Sequence, residues 1–214
     1  MGLAMPLLRD LTIAGFLERL AAGTPTPGGG SAAALAGALG GALIQMVCRL
    51  TIGRDEARPH EAALGALLGQ AADLEARLRD LVDEDAQAYD EVMQALRMPK
   101  GTDDEKAARR LALRRANAAA TDTPLRTAEA CHLLLGLAAE LAGTGNRNAL
   151  SDIGSAAQLI QAGLRGAVMN VRINLPGLGE PAQAEQFETR VRTLEEEGTR
   201  RLVLCLERLA ARAR

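Results

Sequence analysis

Apolar residues recur at three- and four-residue spacing along almost the whole chain, and the alternation that marks a half-buried strand is missing. That period predicts a short helix from about Thr12 to Ala22, a second from about Ser31 to Arg54 and a third from about Pro59 to Arg97. Met98-Pro99-Lys100-Gly101 interrupts the pattern, and Thr102 then caps a fourth helical region, with Glu105 three residues on as its capping-box partner. This region reaches about Leu141 but contains Thr123-Pro124, which predicts a kink or a split, because proline lacks the N–H and crowds the carbonyl four residues back. Gly143-Thr-Gly-Asn-Arg-Asn148 reads as a loop, followed by a fifth helix from about Ser151 to Val171. Leu175-Pro-Gly-Leu-Gly179 reads as another loop before a last helix from about Pro181 to Ala211. With no linker-like stretch and no repeat, the fold class is all-α: a bundle of long helices, residues 1–214 forming a single domain.

Composition sharpens this. Aromatic residues make up 1% of the 214 positions, so a core must rest on Leu, Ala and Val with close backbone approaches. The second helix carries Gly30, Ala34, Gly37 or Ala38, and Gly41 about one turn apart. Glycine costs roughly 1 kcal/mol relative to alanine inside a helix, so this smooth strip predicts another backbone lying very close, within the chain or in a second subunit, with a subunit interface or the helix core of a dimer favoured. A net charge of −2 gives no general attraction to nucleic acid or to an anionic membrane. The basic clusters Arg109-Arg110, Arg114-Arg115 and Arg200-Arg201 read mostly as solvated helix faces. Cys48, Cys131 and Cys205 are odd in number and lack metal-ligand spacing, which predicts buried free thiols in a reducing compartment. Arg9 and Asp10 interrupt the apolar N-terminus before a signal-peptide core forms, and Ala32–Ile44 is too short to span a bilayer. A cytoplasmic protein is expected.

Three places can carry chemistry. Thr24-Pro-Thr-Pro-Gly-Gly-Gly-Ser31 is a stiff approach followed by bare backbone at a helix start, where unpaired N–H groups suit an anion or a polar ligand. A tight turn into a close-packed helix explains the same residues, and the lack of a lysine after the glycines excludes the usual phosphate loop. On the third helix, at about 100° per residue, Asp85 falls in line with Leu67, Leu78 and Leu96, while Asp83 projects to nearly the opposite side and Glu84 lies between. A carboxylate aimed into an apolar seam titrates high unless paired, which tunes a general acid or base; a structural Asp paired with an Arg or capping another helix is the alternative. On the fifth helix, Asp152, Leu159, Gly163, Gly166 and Asn170 share a side that apart from Leu159 is small or polar, with Asn146 and Asn148 before it and Asn174 after. The two glycines leave room for a flat ligand or a close helix; any one of the five polar residues is a common cap or turn residue, but five together around one helix are less easily explained that way. His60 reads as exposed at a helix start and His132 as core, and no metal spacing is found.

Taken in order, certain motifs are highly specific. They are Pro27-Gly-Gly-Gly-Ser31 with its Ala/Leu/Gly helix, Met46-Val47…Leu50-Thr51 with Gly53-Arg54, and Leu81-Val-Asp-Glu-Asp-Ala86 with Ala88-Tyr89 and the Met98-Pro99-Lys100 break. Gly145-Asn146…Asn148…Ser151-Asp152 and Gly166-Ala167…Asn170-Val-Arg-Ile-Asn-Leu175 complete the set. Over almost its whole length the chain resembles the cyclodeaminase domain of the formiminotransferase-cyclodeaminase family, which also includes free-standing bacterial methenyltetrahydrofolate cyclohydrolases. The resemblance implies an all-helical homodimer that acts, without metal or a tightly bound cofactor, on a one-carbon derivative of tetrahydrofolate. The family's catalytic aspartate matches Asp85. Its pterin suits Asp and Asn, which points to Asp152, Asn146, Asn170 and Asn174; its glutamate carboxylates need cations or helix N-termini, which points to Arg54, Lys100 and the Gly28, Gly29, Gly30 and Ser31 turn.

The expected activity is formimidoyltetrahydrofolate cyclodeamination with release of ammonia. Methenyltetrahydrofolate cyclohydrolysis is the alternative, and a non-catalytic folate-binding or helical interaction protein a second. No transferase domain precedes the motifs, so a separate formiminotransferase is an expected partner.

Overall fold

Six helices carry the chain: α1 (Ile13–Ala21), α2 (Gly29–Thr51), α3 (Glu61–Arg97), α4 (Asp103–Thr144), α5 (Leu150–Asn174) and α6 (Pro181–Arg212). The computed structural model describes residues 6–213, and no strand occurs among them. Short 3-10 turns fill most of the connections. Thr12 caps α1 by accepting a hydrogen bond from the Gly15 N–H, and Thr102 with Glu105 forms the complete capping box that starts α4.

α2 lies at the centre, packed against α5 and α3 and more lightly against α4. Its small residues are what allow this. A side chain at Gly37 would overlap Cys131 of α4 and crowd Leu78 of α3, and one at Gly40 would overlap Ile160 of α5. From the α5 side, a side chain at Gly163 would run into the Ala33 carbonyl. The close neighbours of the glycine strip are thus all within the chain. The expected subunit interface along Gly30–Gly41 is not found there, because this face is buried in the bundle. Leu78, Leu134, Ile160 and Leu164 are fully buried around it, each contributing roughly 1.5–3 kcal/mol by leaving water.

Three further expectations need correction. α2 starts at Gly29 with Gly28 as its N-cap, so Gly29 and Gly30 belong to its first turn and the helix begins ahead of the expected Ser31. At 23 residues it is also long and apolar enough to cross a membrane by length and composition, but more than half of it is buried inside the bundle. α4 runs through Pro124 without splitting. The missing Pro124 N–H would have bonded the Ala120 carbonyl, and Asn174 at the end of α5 donates its side-chain amide to that oxygen at 2.7 Å.

α3 and α4, of 37 and 42 residues, are far longer than α2. They run past its N-terminus as a helical hairpin. Three arginines of α6 tie it to α4: Arg201, Arg208 and Arg212 donate to the carbonyls of His132, Ala139 and Ala142 at 2.6–2.9 Å. Arg201 is therefore docked on α4, unlike a solvated face residue. The three cysteines are buried and free, and burial pushes the Cys48 and Cys205 thiols up to about 11 and Cys131 up to about 12.

Candidate functional site

The first turn of α2 supplies N–H groups that no helix carbonyl can satisfy. The Asp85 carboxylate of α3 occupies that position. The Ser31 hydroxyl donates to Asp85 Oδ2 at 3.0 Å, and the Ser31 backbone N–H bonds the same carboxylate. Any side chain at Gly30 would overlap this carboxylate, so the bare backbone is what lets α3 bring Asp85 against the helix end. On the other side Asn170 of α5 lies against Gly29, its amide donating to the Gly166 carbonyl of its own helix at 2.8 Å. Three helices thus converge on Asp85, Ser31, Gly29, Gly30 and Asn170.

Burial pushes the Asp85 carboxyl above the ordinary aspartate value, and the Ser31 hydroxyl and N–H pull it part of the way back. Desolvation is the larger effect. Asp85 is half-buried while Ser31 is fully buried. A recess of about 450 Å³ opens one position along α3, lined by Leu8, Arg19, Thr24, Pro27, Ala86 and Asp90, and Asp85 is not part of its lining. A carboxyl in this setting can take a proton from water or give one to a leaving amine.

Its neighbours are not spare carboxylates. Glu84 pairs with Arg126 at 2.6 Å. Asp83 is buried, contrary to the outward direction expected of it, and accepts the Leu8 N–H at 2.5 Å and the Arg9 N–H at 3.4 Å. It pins the N-terminal segment onto α3. Replacing it by Asn would weaken two charge-assisted bonds, at about 1–3 kcal/mol, so Asp83→Asn is not the neutral change its expected direction suggested.

The remaining expected site residues fall into three places. Of the Gly28–Ser31 turn, the Ser31 hydroxyl and N–H are turned to Asp85. Lys100 is exposed in the turn joining α3 to α4, beyond the Asp85 end of the bundle. Asn174 is committed to the Ala120 carbonyl, a structural task. Arg54, Asn146 and Asp152 lie at the opposite end of α2. There Arg54 Nε donates to the Leu50 carbonyl at 2.9 Å, and the Asn146 N–H donates to Thr51 Oγ1 at 2.9 Å. Nineteen residues of helix separate Ser31 from Leu50, about 29 Å. This end has a polar recess of about 130 Å³ lined by Thr51, Arg54, Glu56, His60, Asn146 and Arg212. No group of three His, Cys, Asp or Glu side chains placed to hold a metal occurs among the described residues. His132 is buried in the core, as expected.

Residues 12–193 match the family model described as formiminotransferase-cyclodeaminase. The chain belongs to the formiminotransferase-cyclodeaminase family. Within it, the chain is 45% identical to a methenyltetrahydrofolate cyclohydrolase of Methylorubrum extorquens, over 82% of its own length and 84% of the relative's. It is 35% identical to the formimidoyltransferase-cyclodeaminase of Mus musculus over 96% of its length, spanning 38% of that larger protein. The crystal structure of a formiminotetrahydrofolate cyclodeaminase from Thermotoga maritima superimposes with a TM-score of 0.76 at 26% identity, covering 96% of this chain and 97% of the other. The expected all-α family fold holds.

The pairing of Asp85 with Ser31 escaped the sequence. Both residues were singled out separately, but they are 54 positions apart, and no local pattern joins them.

Proposed function

We propose that this family member hydrolyses methenyltetrahydrofolate, with Asp85 as the catalytic residue. The observation that carries the reading is the half-buried Asp85 carboxylate, held at the α2 N-terminus by Ser31. Ionised, it accepts a proton from water as the oxygen attacks the cationic methenyl carbon, and its charge favours that cation. The carbon–nitrogen bond to one folate nitrogen then breaks, that nitrogen takes a proton, and the carbon becomes a formyl group; one proton is released overall. The similarity to the Methylorubrum enzyme over most of both chains supports hydrolysis.

Cyclodeamination is the second reading, favoured by the Thermotoga neighbour that the fold follows over nearly its whole length. In it the second folate nitrogen attacks the formimino carbon, and a protonated Asp85 donates to the departing amine, which leaves as ammonia. In either reading Asn170, which lies against Gly29, orients the bound folate. A homodimer in the cytoplasm completes the proposal, the buried free thiols fitting a reducing compartment.

The test is a paired assay of the purified protein. Loss of methenyl absorbance without ammonia identifies the hydrolase, and gain of methenyl absorbance with ammonia from the formimino substrate identifies the cyclodeaminase. Turnover of neither would defeat the proposal.

A further inference from the structure

We infer that Tyr89 is a specificity-determining residue of the Asp85 site, the face of its ring receiving the cationic methenyl group of the substrate. The inference rests on the folate reading above and adds the group that tells a charged one-carbon adduct from a neutral folate. The chain has one tyrosine, two phenylalanines and no tryptophan. Phe16 is buried in the core and Phe187 packs against it. Of the three, Tyr89 alone is exposed, at 38%, and it stands about one helical turn from Asp85.

The lengths of the helices account for that exposure. Gly41, Gly37 and Gly30 of α2 meet Glu75, Leu78 and Asp85 of α3 in turn, so the two helices are antiparallel. α2 begins at Gly29, whereas α3 continues past Asp85 to Arg97. Tyr89 therefore falls on the stretch of α3 that α2 does not reach. The inner side of this stretch is fixed by Ala88 and Ala95, which are buried. Four residues apart, Asp85 and Tyr89 lie in one line, with Cβ atoms about 6 Å apart. Helical side chains lean toward the N-terminus of their helix, which sets the Tyr89 ring to cover the turn that carries Asp85. Ala86 and Asp90 form the neighbouring line, and it is they that border the recess under Pro27. The Tyr89 hydroxyl has no protein partner among the described residues, so the ring is not a tether between elements.

This spacing suits the chemistry. A water held by the Asp85 carboxylate lies about 3 Å from it and attacks a carbon about 3 Å further on. That places the reacting carbon within the ~6 Å over which a cation is drawn to the face of a ring one turn away. The methenyl group spreads one positive charge over a flat N–C–N unit. Like guanidinium, such a cation is weakly hydrated, and the negative face of a tyrosine ring attracts it. Tetrahydrofolate carries the same pterin without that charge. A plain apolar side chain would cover both alike, whereas an aromatic ring favours the cation. Hydrolysis removes the charge, so the same ring loosens its hold on the formyl product.

The test uses the intact protein in an Asp85→Asn background, which binds methenyltetrahydrofolate without converting it. By calorimetry, Tyr89→Leu should weaken methenyltetrahydrofolate about five- to tenfold and tetrahydrofolate less than about twofold, while Tyr89→Phe, which keeps the ring, leaves both within about twofold. A loss for methenyltetrahydrofolate no greater than that for tetrahydrofolate would overturn the inference, as would a Tyr89→Phe protein as weak as Tyr89→Leu.

A second readout needs no change at Tyr89 beyond a label. Because the chain has a single tyrosine, 3-fluorotyrosine incorporation gives one fluorine resonance. Methenyltetrahydrofolate should shift that resonance, and further than tetrahydrofolate does. A resonance that stays in place while calorimetry shows binding would overturn the inference and leave the folate reading standing. Wild-type protein that binds neither folate would defeat both.

Discussion

Two carboxylates two positions apart on α3 have opposite employments, and burial alone does not distinguish them. Asp83 is the more enclosed, yet its oxygens are taken by the backbone of residues 8 and 9. Asp85 is held from one side by Ser31 and is only half-buried. The helical period made Asp85 legible in the sequence, because its line through Leu67 and Leu78 follows from geometry within one helix. The role of Asp83 was not legible, since it depends on a segment 75 residues away folding back onto α3. The raised Asp85 pKa carries a sign that separates the two reactions. Hydrolysis needs the carboxylate, so its rate should fall as pH drops through the raised value and level off above it. Cyclodeamination needs the acid, so its rate should fall as pH rises through the same value. A pH–rate profile of kcat, with Asp85→Asn to confirm that the inflection belongs to this group, distinguishes them.

At the level of elements, helix existence followed from periodicity, and the Thr102 capping box was readable residue by residue. Pro124 does not split α4, for a specific reason. The cost of a helical proline falls largely on the orphaned carbonyl and on local crowding, and a side chain from elsewhere can satisfy the carbonyl. Here Asn174 does so from α5, a contact no local rule contains. Asn174→Ala should therefore lower stability by about 1–3 kcal/mol, seen as a lower denaturation midpoint, while turnover per folded molecule stays near wild type. A selective rise in folate KM without loss of stability would restore Asn174 to the binding pocket. The glycines of α2 were read correctly as marks of close approach. Their partners turned out to be α3, α4 and α5 because the strip faces inward.

On the scale of the molecule, an all-helical bundle was legible from composition and period, whereas the grouping of site residues was not. Gly28–Ser31 and Arg54 stand at opposite ends of one helix, so a single chain cannot bring them together. The resemblance pooled residues from both ends, and the structure separates them into an Asp85 end and an Arg54 end. The family's chemistry still turns on one group.

The most direct test of the account is turnover of the preferred reduced folate by Asp85→Asn beside the wild type, with folate affinity measured by calorimetry on both. Asn keeps the shape and the contact to Ser31 but cannot exchange a proton, so turnover should fall roughly 10²–10⁴-fold while affinity stays within a few-fold. Turnover near the wild-type rate would contradict the account, making Asp85 a buried cap on the end of α2 and nothing more.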